Sequence, residues 1–447
     1  MHEAADVDRG RLLRLLGVGF GIAVTVGGTV GTGILRTPGM VAGHLGDPWL
    51  IAAAWLLGGG YALLGTLSVV ELGTALPAAG GFYVYARRAF GGGLGFVVAW
   101  GDWLMQCASL AYVTVSVADF AVTLAPTLAP AAKLLAMAPL ALFALIQWLG
   151  LRESSWTQQA TSLVKGLALL AFVAVCFAHG PAGQAPAAPT AGAPGTGLAV
   201  FTLVGAVIAL QSVIVTYDGW YMAIYFTEED RDPGRNLPRS ALGGVLATII
   251  IYLLVNLSLL RVLSVPELAA SSLPAADAAQ AIFRGAGGSI VTALALVSLL
   301  GLVNAVLMSA TRVAYAVARD GGFGPLARVS PSGTPVPALL LTTGASMLLA
   351  LSFTFEQMIA ISAALVVFVY VSGFLSLFVL RRREPDLPRP FRVPGYPWTP
   401  LVALVGSLAF LAGNVLSDPR GSAWAAGLLA LSYPAFRLMT ARGRAAG

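Results

Sequence analysis

The chain has 447 residues, of which 57% are hydrophobic and only 10% charged, with a mean hydropathy of +0.83 and a formal net charge of +6. A soluble protein of this size carries about 25% charged residues, so this composition excludes an ordinary water-soluble domain and indicates an all-α polytopic membrane protein. The positive balance calls for no nucleic acid, because membrane topology accounts for its placement. The three histidines, His2, His44 and His179, are too scattered to build a metal site, and nothing calls for a cofactor.

A bilayer core of about 30 Å needs about 20 apolar residues per helix. By that rule the chain divides into about twelve spans, near 15–37, 48–70, 94–123, 134–151, 157–178, 198–227, 240–262, 287–317, 336–354, 357–381, 398–417 and 422–440. Arg9, Arg11 and Arg14 run straight into the first of these with no small-residue cleavage site, so it reads as a retained helix and not a signal peptide. If the spans alternate from a cytoplasmic N-terminus, 21 of the 26 lysines and arginines fall inside and 5 outside. Cytoplasmic loops carry the excess of basic residues, so both termini are expected on the cytoplasmic side of the cell membrane. Cys107 and Cys176 both lie in apolar segments and are expected to pack as small hydrophobes.

The first span is interrupted by Thr25-Val26-Gly27-Gly28-Thr29-Val30-Gly31-Thr32-Gly33, with four glycines in seven residues. Each glycine costs a helix about 1 kcal/mol relative to alanine. A freed amide in hydrocarbon costs several kcal/mol more unless something satisfies it. One reading is close helix packing, since Gly27 and Gly31 have the GxxxG spacing. The other is a deliberate break that offers backbone to a ligand.

The stretch from His179 to Gly197, rich in Pro, Ala and Gly, reads as an external linker after the fifth span. Five is odd, so the sixth span enters from the opposite side. The expected architecture is therefore one transmembrane domain over 1–447. It comprises a five-helix repeat at 15–178, an inverted repeat at 198–381 and two further helices at 398–440. The sixth span should then carry a break that matches the first, and Val215-Thr216-Tyr217-Asp218-Gly219-Trp220 supplies one. An acid there is costly, by about 2.5–3.5 kcal/mol on insertion scales. Paired interruptions in corresponding spans point to a transporter's central site.

With these motifs in place the chain resembles the amino acid–polyamine–organocation superfamily, and within it the L-type and bacterial amino acid permease branch. The resemblance rests on Gly31-Thr32-Gly33-Ile34, on Glu71-Leu72-Gly73-Thr74 with Gly80, Gly81 and Tyr83, and on Tyr217-Asp218-Gly219-Trp220. It extends through Glu228-Glu229 and Asn236-Leu237-Pro238-Arg239, Asn304 and Arg312, and Pro390-Phe391-Arg392-Val393-Pro394. It implies two inverted five-helix repeats with discontinuous first and sixth helices, and an amino acid substrate held between them. It also implies that Thr32 and Gly33, beside the site residue Gly31, bind the carboxylate. Thr29, Val30, Val215 and Asp218, beside Thr216 and Gly219, hold the amino group through main-chain carbonyls. Two departures stand out: Val215 where many relatives place an aromatic lid, and Phe82 where many have Glu.

Lys165 is one of two lysines in the chain and lies in the fifth span. It either snorkels to the surface or, as the resemblance implies, stands where sodium-coupled relatives bind sodium. The second reading makes Lys165 a coupling residue and the protein a sodium-independent exchanger or proton symporter. Asp102 and Asp119 are expected near the interfaces at the two ends of the third span. Asn304 either bonds across helices or lines the site. Arg36 either reaches the outer headgroups or biases the vestibule toward anions.

The alternative within transport is a carrier of polyamines or organic cations that uses Asp218. A membrane-embedded enzyme would need a cluster of catalytic groups at one depth, and none is apparent. A sensor would add a soluble domain, whereas the polar segments here are short loops. The L-type carriers of eukaryotes are disulfide-linked to a single-pass glycoprotein. With no external cysteine here, no covalent accessory subunit is expected.

Overall fold

A computed structural model describes residues 12–179, 202–321 and 323–436. Most of the expected external linker lies outside the described residues, as do the first four residues of the sixth predicted span and the last four of the twelfth. Among the described residues every regular element is helical, and one isolated bridge pairs Leu16 with Asp230.

The chain opens with α1 (Val18–Thr29) and α2 (Gly33–Leu45), two short helices bent by 49° at the glycine-rich break. They are followed by α3 (Pro48–Ala75), a short α4 (Phe82–Phe90) and α5 (Gly92–Leu124). A 3-10 stretch, Pro126–Ala131, leads into α6 (Ala132–Leu149), and α7 (Leu151–His179) completes the first part. The second part holds α8 (Leu203–Thr216), a 3-10 turn at Met222–Phe226 and α9 (Pro233–Val262). Then come the short α10 (Val265–Ala270) and α11 (Pro274–Phe283), α12 (Gly287–Asp320), α13 (Val336–Ser352) and α14 (Phe355–Arg383). The last two helices are α15 (Trp398–Ser417) and α16 (Pro419–Ala430).

Among the described residues eight helices are long and apolar enough to cross a membrane, or nine when the bent pair α1–α2 counts as one. The remaining three predicted spans fall on α8, α13 and α16, which are shorter. Three helices were not anticipated. Both α10 and α11 lie between the seventh and eighth spans, where the backbone carbonyls of Leu268 and Ser271 rest on Gly39 of α2. The third, α4, is too short and too polar for a span criterion.

The surface inverts that of a soluble protein. Trp49 and Leu416 are more than 80% exposed, whereas Glu71, Asp102, Gln106, Gln158, Lys165, Glu229, Asn304 and Arg312 are at most 1% exposed. Lipid is as apolar as leucine, so helices associate through packing and interhelical polar contacts. Every buried polar group must therefore find its partner inside the protein. Ser and Thr hydroxyls in the spans turn back on the helix carbonyls, as Thr25 does to Gly21 at 2.8 Å and Thr29 to Thr25 at 2.7 Å.

One end of the molecule is tied together by arginines. Arg381 and Arg389 both reach the buried Glu71, and Glu71 Oε2 also accepts the Val393 amide at 2.7 Å. Arg88 pairs with Glu384 at 2.8 Å, Arg319 with Glu228 at 2.8 Å, and Arg87 with Asp320. These contacts fasten the ends of α3, α4, α12 and α14 to one another.

Candidate functional site

The two interrupted segments meet. In the first, the Val30 amide still bonds to Val26 at 2.9 Å, but the amides of Gly31, Thr32 and Gly33 have no acceptor among the described residues. They form the open N-terminus of α2, where free N–H groups and the helix dipole favour an anion. In the second, α8 stops at Thr216 and the chain turns through 217–221 before the 3-10 segment. Gly219 has φ +106°, and a Cβ there would lie 2.4 Å from the Gly28 carbonyl oxygen. Only glycine fits that conformation and that approach.

Side chains hold both breaks open. The Tyr252 hydroxyl of α9 lies 2.9 Å from the Thr29 carbonyl and 3.0 Å from that of Thr216, so one group spans the ends of α1 and α8. Lys165 is fully buried, and its ammonium donates to the carbonyls of Gly27 and Val30 at 3.0 and 2.6 Å. It does not snorkel. The neighbouring Ser162 and Gln158 bond to Ala23 at 2.7 and 3.4 Å. Thus α7 supplies the donors that the broken end of α1 lacks.

A cavity of about 700 Å³ reaches from the breaks toward the end opposite the arginine cluster. The structure brings Thr29, Gly31, Thr32, Gly33, Val215, Thr216 and Asp218 to its wall. Val30 and Gly219 stand behind that wall. Of the four carbonyls expected to face an amino group, Thr29 already accepts from Tyr252, Val30 from Lys165, and Val215 from the Asp218 amide at 3.1 Å. Only the Asp218 carbonyl has no donor among the described residues. Val215, where many relatives carry an aromatic, is 53% exposed and lines the cavity. The Asp218 carboxylate accepts from the Tyr370 hydroxyl. It also edges a side cavity of about 70 Å³ that reaches Tyr61, Tyr112 and Tyr370.

The structure decides between the readings left open for Asn304 and Arg36, and it corrects the one made for Asp102. Asn304 does not line the cavity, because its amide is committed to α6 and α7. It donates to Gln158 at 2.9 Å and to Ser154 at 3.3 Å, and accepts from Gln147 at 3.1 Å. Asp102 is not interfacial but fully buried, bonded to Tyr225 and Gln106. Arg36 lies on the cavity wall with its guanidinium 5.7 Å from the Phe120 ring centre, and Asp119 lines the same cavity. Sequence reasoning also missed Tyr252, since a tyrosine in an apolar run gives no signal of its own. Phe82, in place of an acid, packs against Tyr85, Tyr221, Tyr225 and Tyr370.

The cavity is sealed from the arginine-rich end. Arg312 and Glu229, 1% and 0% exposed, form a two-pronged pair at 3.0 and 2.8 Å under the Phe226 ring. The Leu16 amide donates to Glu229 and the Arg231 amide to Leu16, at 3.0 and 3.1 Å, which stitches the start of the chain across the same plug.

A ligand cavity at two facing breaks in a bundle of membrane-length helices defines a membrane carrier. The family model described as amino acid permease matches residues 21–428. Similar proteins include the serine/threonine exchanger SteT of Bacillus subtilis, 26% identical over 420 residues and covering 91% of this chain and 92% of SteT. The Asc-type amino acid transporter 1 of Mus musculus is 28% identical, covering 92% of this chain and 78% of its own length. The b(0,+)-type amino acid transporter 1 of Mus musculus is 27% identical, covering 93% and 86%. The chain belongs to the amino acid permease family of the amino acid–polyamine–organocation superfamily. It is a multi-pass transporter of amino acids and not an enzyme.

Proposed function

We propose that this protein is a secondary carrier that moves an amino acid across the cell membrane by alternating access, independently of sodium, as an exchanger or proton symporter. The observation that carries the reading is the set of unsatisfied amides at Gly31, Thr32 and Gly33 facing the second break across one cavity. An amino acid carboxylate sits on those amides. Its ammonium sits against the Asp218 carbonyl and the remaining lone pairs of Thr29 and Val215. A similar exchanger of serine and threonine, SteT, favours exchange over symport.

Lys165 supports sodium independence. A fixed ammonium already occupies the carbonyls of Gly27 and Val30, where an ion would otherwise be needed to satisfy the broken helix. The helices order as two five-span repeats of opposite orientation, 15–178 and 198–381, followed by 398–440, with both termini cytoplasmic. The matching breaks at the first and sixth spans and the gathering of arginines at one end favour that arrangement. On this orientation the protein is open to the outside and closed inside by Arg312–Glu229. Cys107 and Cys176 are buried, so a heavy chain joined by a disulfide is not expected.

The test uses purified protein in liposomes loaded with unlabelled amino acids and a panel of labelled ones outside, with no sodium. Uptake into loaded vesicles alone identifies exchange. Uptake into empty vesicles that follows an imposed pH gradient identifies symport. The absence of uptake of every amino acid contradicts the reading and favours the polyamine alternative, in which the Asp218 carboxylate is the partner.

A further inference from the structure

Asp102 does not line the cavity, yet it is a fully buried acid in the middle of the bundle. It lies on α5 one turn from Gln106, which lines the cavity. Tyr225 Oη is 2.8 and 2.9 Å from the two carboxylate oxygens, and Gln106 Nε2 is 2.8 Å from one of them. Gln106 Oε1 in turn accepts from Ser309 at 2.5 Å.

No basic residue among the described ones lies within ion-pair distance of Asp102. The groups on the surrounding elements are neutral or already paired. The 217–226 segment presents Tyr221, Tyr225 and the acid Asp218, whose carboxylate accepts from Tyr370. From α4 come Tyr85, whose buried hydroxyl has no partner among the described residues, and Arg87 and Arg88, paired with Asp320 and Glu384. From α12 come Ser309 and, one turn on, Arg312, held by Glu229. From α14 come Tyr370, bonded to Asp218, and Arg381, bonded to Glu71. Thr342 of α13 takes the Trp103 indole at 3.1 Å. The basic residues of α6 and α16, Lys133 and Arg420, stand at the starts of those helices.

An ionised carboxylate without a counter-charge is expensive inside a membrane, and such groups mark proton and ion pathways. We propose that Asp102 is a proton-binding residue, reached from the substrate cavity through Gln106, whose protonation loosens the segment behind the second break. A hydronium ion in the cavity gives its proton to a carboxylate oxygen and leaves as water, so one O–H bond breaks as another forms and no other bond changes. Before that step Tyr225 donates to a charged acceptor. Afterwards it donates to a neutral carboxyl, a bond about half as strong. Tyr225 belongs to the 3-10 segment that leads directly into Glu229 and the plug, so the protonation state of Asp102 biases that segment's position. The inference rests on the cavity being an amino acid site.

The test is counterflow of labelled serine, threonine, leucine and arginine in liposomes holding the full chain, with equal pH on both faces, from about pH 5.5 to about pH 8.5, about a thousandfold in proton concentration. The wild type should change its exchange rate at least about fivefold across the range, since occupancy of a single proton site changes about tenfold per pH unit on its limb. Asp102→Asn should still exchange, with a profile flat to within about twofold on the same scale. Asp102→Glu should keep the change and move its midpoint. A flat wild-type profile, or a wild-type profile retained in Asp102→Asn, overturns the proposal. Should Asp102→Asn fail to fold, Asp102→Glu decides, and an unmoved midpoint overturns it. If the wild type exchanges none of the four, the substrate reading fails first and this inference falls with it.

Discussion

Lys165 Nζ lies 2.6 Å from the carbonyl oxygen of Val30, one residue past the point where the first membrane helix ends. A second bond, 3.0 Å to Gly27, fixes the ammonium across the last turn of α1. A side chain of α7 thus satisfies two carbonyls at the broken end of α1. Lys165→Ala removes both donors and leaves two buried carbonyls unsatisfied, at about 1–3 kcal/mol each. Uptake should fall at least about tenfold, with the protein still monodisperse in detergent. Uptake within twofold of wild type would mean that the lysine only fills space.

Tyr252→Phe deletes the single hydroxyl that joins the Thr29 and Thr216 carbonyls. The ring and its packing on Trp55 and Tyr217 remain. The expected result is a weaker apparent substrate affinity, by about fivefold to about a hundredfold for a lost buried hydrogen bond, with little change in thermal stability. Concentration-dependent uptake measures the first and thermal unfolding the second.

Gly219→Ala places a methyl 2.4 Å from the Gly28 carbonyl in a backbone conformation with φ +106°. Such strain costs about 1–3 kcal/mol before the clash is counted. The two breaks must move apart, so transport should be lost while the helical content measured by circular dichroism stays unchanged. Gly43→Ala, whose nearest neighbour would be 3.9 Å away, is the control and should transport normally.

Arg312→Met strands the Glu229 carboxylate in the plug and should cost about 3–5 kcal/mol, as for a buried pair that has lost one partner. Arg312→Met with Glu229→Gln removes both charges and should recover most of that loss. Melting temperatures of the two variants in detergent check this. A double variant no more stable than Arg312→Met would show that the pair is not the main support of the closed end.

Much of this site is legible in the sequence because membranes punish exceptions. Four glycines near Gly31 and an acid at Asp218 are conspicuous in apolar runs, and both interrupt their helices in the structure. The lysine at 165 is conspicuous for the same reason. What the sequence conceals is direction. Asn304 lies in a central span, yet its side chain faces α6 and α7. Asp102 is close enough to a span end to read as interfacial but points into the bundle. Tyr252 is an ordinary membrane residue until its hydroxyl is seen between two broken helices. Helix α4 and the pair α10–α11 escaped because a rule tuned to about 20 apolar residues is blind to helices of 6–10 residues.

On the proposed reading, main-chain groups at both breaks hold the two charged ends of an amino acid. The most direct test is competition in the liposome uptake assay. The labelled substrate is challenged with the same amino acid, with its decarboxylated amine and with its N-acetyl derivative. Only the intact zwitterion should compete, with each truncated compound weaker by about a hundredfold or more, the cost of leaving one charged end of the site unpaired. Equal competition by the decarboxylated amine would mean that the amides of Gly31, Thr32 and Gly33 hold no carboxylate, and would contradict it.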